Sequence, residues 1–88
     1  MELRRFWFEF EIDNEKSFGW LRECGVTACD RIDALRIMKQ QLFRNKEMPP
    51  VSKCVEDVDV STLDPNHVLP NMGMVTKRGI WFPLGYEE

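Results

Sequence analysis

At 88 residues, 43% hydrophobic and 31% charged, the chain has the makeup of one folded domain, residues 1–88, and not of a disordered or multi-domain protein. Its formal net charge of −3 argues against a nucleic-acid partner, whose phosphates require a basic field, and Arg4–Arg5 and Lys77–Arg78 are local pairs, not a stripe. No apolar run approaches the roughly 18 residues of a membrane span, the amino end MELRRFWFEF lacks the plan of a signal peptide, and three cysteines without a CxxC spacing suit reduced thiols, so a cytoplasmic chain off the membrane is expected.

The first element is a strand from Leu3 to Ile12. Phe6, Phe8, Phe10 and Ile12 share one parity, while Arg5, Trp7, Glu9 and Glu11 share the other. Alternate side chains of a strand face opposite ways, so the Phe row is the expected core face. Asp13-Asn14-Glu15-Lys16 reads as a turn. A second strand, about Phe18 to Thr27, carries Phe18, Trp20, Cys24 and Val26 on one parity, and its glycines predict an irregular middle. The two strands form an antiparallel hairpin.

Thr27-Ala28-Cys29-Asp30 sets a hydroxyl three residues before an acid, a variant of the capping box. A helix then runs to Phe43 or Arg44, with Ala28, Ile32, Leu35, Met38 and Leu42 as its apolar stripe and Ile37 on the opposite side. Pro49-Pro50 forbid its continuation. Val51 to Val60 reads as a third strand whose valines change parity, which predicts a bulge near Glu56–Asp57. Asp57 to Gly73, DVDVSTLDPNHVLPNMG, is a long irregular segment with a helical turn starting at Ser61 or Asp64. Segments longer than about 12–15 residues without regular structure are usually functional or disordered, and this one is too apolar for disorder. Gly79 to Leu84 is the last strand, with Ile80, Phe82 and Leu84 inward and Trp81 outward. Pro83 ends it or makes it an edge.

This order predicts an α+β, two-layer domain: one mostly antiparallel four-stranded sheet packed on one helix, in the order ββαββ. The layout is similar to the ubiquitin-like β-grasp, in which the last strand fills a gap beside the first; another ββαββ sheet order is the alternative. The C-terminal GYEE lacks a diglycine end, so nothing implies conjugation. The phrases GVTACDRIDAL, DVDVSTLDPNHVLPNMG and RGIWFPL also resemble those of small uncharacterised bacterial proteins with no assigned activity, a resemblance that supplies no catalytic residues.

Three chemistries compete. Asp57, Asp59, Asp64 and His67 could converge on a divalent ion or small ligand, although their spacing matches no standard metal motif and turn-capping explains the same residues. Cys24 or Cys54 could pair with His67 as nucleophile and base, but no orienting third group can be named and no Gly-rich phosphate loop is present. Trp7 and Trp81, on outer parities, would stand side by side near Arg5 as interaction anchors, unless the long segment folds back to cover them. The expected function is therefore a non-catalytic module without a cofactor, associating with a protein partner or with itself through an exposed sheet face or strand edge.

Overall fold

The alternation of the first strand sets the frame of the molecule. The structure, a computed structural model, describes residues 2–11, 23–44 and 48–83. Within them β1 (Arg4–Phe10), β2 (Glu23–Ala28), β3 (Val51–Glu56) and β4 (Gly79–Phe82) form one antiparallel sheet. Between β2 and β3 lies α1 (Arg31–Ile37), continued by a π-helical segment, Met38–Leu42. Ile12, Phe18, Trp20 and Leu84, and with them the expected turn and the irregular first half of strand two, lie outside the described residues. No helix among the described residues is long and apolar enough to cross a membrane.

The strands pair in the order β3-β1-β2-β4. β1 is central: Phe8 opposes Cys24 on one side and Cys54 on the other. β3 thus takes the free edge of β1 directly, and no gap is left there for the last strand. β4 instead joins β2 at the far edge, so the gap-filling placement expected of a β-grasp is not the pairing found. The chain from β3 to β4 must cross from one edge to the other, and it does so over the face opposite α1.

The Phe row faces inward as its parity predicts. Phe6, Phe8, Phe10, Cys24, Val26, Ala28 and Ile80 meet Ala34, Ile37, Met38, Leu42 and Phe43 in one buried layer. Phe10 and Phe43 pack edge to face, ring centres 5.5 Å apart. The helix stripe needs correction. Ile37 is 2% exposed and Ile32 69%, the reverse of the expected assignment. The stripe that docks is Ala34–Ile37–Met38, with i, i+3, i+4 spacing. The wide π turn, in which the Phe43 amide donates to the Met38 carbonyl, then brings both Leu42 and Phe43 to the core.

The helix cap also shifts. Asp30 is the N-cap and accepts the Asp33 N–H at 2.7 Å, while Asp33 accepts the Cys29 N–H at 3.1 Å, a reciprocal arrangement. Thr27 belongs to β2 and is buried. Two bulges explain the remaining changes of facing. In β3 the register slips between Lys53 and Val51, leaving Ser52 extra, so Val51 joins the inner layer and Val55 the outer. The strand ends at Glu56, and Asp57 turns the chain with φ 53°. In β4 the slip between Ile80 and Phe82 makes Trp81 the extra residue. Phe82 consequently faces outward beside Trp81, and only Ile80 remains inside.

Candidate functional site

Trp7 and Trp81 do share the outer face, but they do not sit on neighbouring strands. β2 lies between them, and their rings meet above Gly25, stacked with centres 6.0 Å apart. A Cβ on Gly25 would come within 2.5 Å of the Trp81 ring, so the missing side chain is what lets that indole lie across β2. Phe82 completes the group, 5.4 Å from Trp7.

This aromatic face is closed. Val58 and Val68 of the long segment are buried on it, with Val60, Leu63, Met72 and Val75 partly so. Trp7 is 3% exposed and Trp81 1%, so neither is the surface anchor that outer parity predicts. The cause is the apolar content of the segment itself, which finds in the indoles the surface it must bury. Four ties hold this roof down. The Val58 N–H donates to the Arg5 carbonyl at 3.1 Å, and the Gly73 N–H to the Trp81 carbonyl at 2.7 Å. The Thr27 hydroxyl donates to the Val75 carbonyl at 2.6 Å. Arg78 pairs with Asp33 at the start of α1. Arg5 itself stays exposed, opposite Thr27 at the rim of the layer.

The acidic residues of the segment serve its turns. Asp59 accepts the amide and hydroxyl of Ser61, which hold its carboxyl below the usual carboxylate range. Asp64 accepts the Asn66 N–H, and Asp57 lies 3.8 Å from Arg4. His67 is exposed; its carbonyl accepts from the Asn71 amide and its ring touches Phe82 edge-on. Among the described residues no three of His, Cys, Asp and Glu are placed to hold a metal. Nor do the thiols meet the imidazole. Cys24 and Cys54 belong to the inner layer and His67 to the outer, with the sheet between. Burial pushes the Cys24 thiol far up, and it also raises that of Cys54 against the opposing field of Arg31.

Two surface features remain. One is an open groove of about 360 Å³ on the outer face, floored by Trp7, Val55, Val58 and Val68 and rimmed by Glu9, Lys53, Asp64 and His67. The other is the contrast between the two sheet edges. β4 buries Ile80, Trp81 and Phe82, and its Trp81 carbonyl is taken by the roof. In β3 no residue is fully buried; Val51, Cys54 and Val55 are half-covered and Ser52, Lys53 and Glu56 exposed. Among the described residues the helical segment packs more on β2 and β4 than on β3. Sequence parity places the aromatics on the outer face, and the apolar residues of the long segment raise its folding back as the alternative, which is the arrangement found. Comparison with known proteins adds nothing to this geometry: no family model, no curated protein and no solved structure matches the chain.

Proposed function

We propose that this domain is a non-catalytic protein-association module that engages its partner through the open edge of β3. The observation that carries the reading is the difference in burial between the edges: three of the four β4 residues are buried and none of β3. An extended segment laid along β3 would gain main-chain hydrogen bonds and cover the half-buried Val51, Cys54 and Val55. The bulge at Ser52 and the charge of Lys53 confine regular pairing to Lys53–Glu56, which favours docking of one strand over open-ended stacking. Selection of displayed extended peptides against the whole chain tests this. Enriched peptides are expected to perturb the amide resonances of residues 53–56; binders that map elsewhere would remove the edge from consideration.

A second reading, a small-ligand site, is favoured by the groove that brings Asp64 and His67 beside Trp7. It predicts a melting temperature raised by a small ligand and a response lost in His67→Ala. No response to a small-molecule screen would end it.

A further inference from the structure

We infer, resting on the small-ligand reading of the outer-face groove, that its ligand is a small organic cation, an ammonium or guanidinium group on an apolar stem. The charges that face the groove restrict the choice. Among the described residues its walls carry Glu9, Glu23 and Asp64, and Lys53 is the one lysine or arginine among them. Three of these four stand in one row across the sheet, since Glu9 on β1 opposes Lys53 on β3 and Glu23 on β2. With Glu23 counted as satisfied by its own neighbours, Glu9 on the sheet side and Asp64 on the roof side still share a single ammonium. An anion entering the groove would meet a carboxylate from the sheet and another from the roof, whereas a cation gains from both.

The two acids are tied in place. Glu9 Oε2 accepts the Trp7 indole N–H at 3.4 Å, which keeps the carboxylate at the edge of the apolar floor. Glu9 is half-buried there, so its field is screened less than that of a fully exposed acid. Asp64 Oδ1 accepts the Asn66 N–H at 2.9 Å, which fixes the turn of the roof beside the groove. A ligand with a charged head and an apolar stem uses both parts of this surface, the head among the acids and the stem on Trp7, Val58 and Val68. At about 360 Å³ the groove is at the small end of ligand pockets and open on one side, so binding belongs to the weak class.

Amide spectra of the full chain, titrated with three probes of one shape, test the proposal: phenethylammonium, phenethyl alcohol and hydrocinnamate. The ammonium is expected to shift the amides of Trp7, Val58 and His67 and to bind about tenfold or more tighter than the alcohol or the carboxylate. Glu9→Gln and Asp64→Asn keep a carbonyl acceptor for the Trp7 and Asn66 N–H groups. Each is expected to weaken the ammonium about threefold or more, and Lys53→Gln to strengthen it. Equal binding of ammonium and alcohol in the groove, or a preference for the carboxylate, would overturn the cation and leave the small-ligand reading standing. So would an affinity for the ammonium that none of the three substitutions moves. No groove shift with any probe at tens of millimolar would overturn the inference, and an empty small-molecule screen beside it would remove the small-ligand reading as well. A lysine-bearing extended peptide that shifts the groove amides where the free amine does not would place the cation on a protein partner and overturn the small ligand.

Discussion

The two faces of the sheet are covered by different means. On the inner face, a helix that widens into a π turn meets a row of Phe side chains of one parity. On the outer face, a segment with only two short 3₁₀ turns, Val60–Thr62 and Leu69–Asn71, buries the indoles of Trp7 and Trp81. The strand half of the inner layer follows periodicity. The outer layer is held by side-chain size and by individual hydrogen bonds, each with its own partner across the sheet. The comparison teaches that a loop can serve as a second core, and that outer parity alone does not make an aromatic residue available to a partner.

The largest effects should come from the aromatic layer. Trp81→Ala is expected to cost about 3–5 kcal/mol in denaturant unfolding, as much as Phe8→Ala in the inner layer. A nearly neutral Trp81→Ala would mean that the roof is a loose flap and that the two faces are not equivalent. Ile37→Ala should cost about 2–5 kcal/mol, whereas Ile32→Ala should stay within about 0.5 kcal/mol of the unaltered chain. Similar losses from both would place the helix in the wrong rotation. Gly25→Ala is expected to lose about 1–3 kcal/mol, because the new methyl meets the Trp81 ring at van der Waals overlap. The loss should shrink in a Trp81→Leu background.

The smallest effect concerns the tie between the layers. The Asp33 side chain is 12% exposed and Arg78 half exposed, so Asp33→Asn should cost about 1 kcal/mol near neutral pH. The sign of its pH dependence is fixed. Arg78 first, then the Cys29 amide, hold the Asp33 carboxyl well below the usual carboxylate range, against the upward push of burial. A lowered folded pKa stabilises above the unfolded value near ~4 and is lost as the pH falls further. Asp33→Asn should therefore flatten the acid side of the stability profile measured by thermal unfolding. An unchanged acid slope would show that the roof is not fastened there.

How much of this was legible follows from the same physics. The Phe row, the antiparallel pairing of the first two strands, the presence of the helix and the edge position of the last strand all rest on local alternation, capping or proline chemistry. The helix phase is not legible, because Ile32 draws the stripe by apolar identity alone and a π turn later in the helix carries no sequence period of its own. The facing of Phe82 and of Val51 was lost to bulges at Trp81 and Ser52. Those slips are set by pairing with the neighbouring strands, which one strand's sequence does not contain. In the candidate site, the shared face of Trp7 and Trp81 could be read, but their burial depends on Val58 and Val68, which reach them only through the strand order.

The proposed association rests on β3 being the more exposed of the two outer strands among the described residues. Amide spectra of the labelled chain, recorded as a selected extended peptide is added, test it most directly. Shifts confined to Lys53–Glu56 and their neighbours on β1 are expected. Shifts centred on the groove at Trp7 and His67 would contradict it.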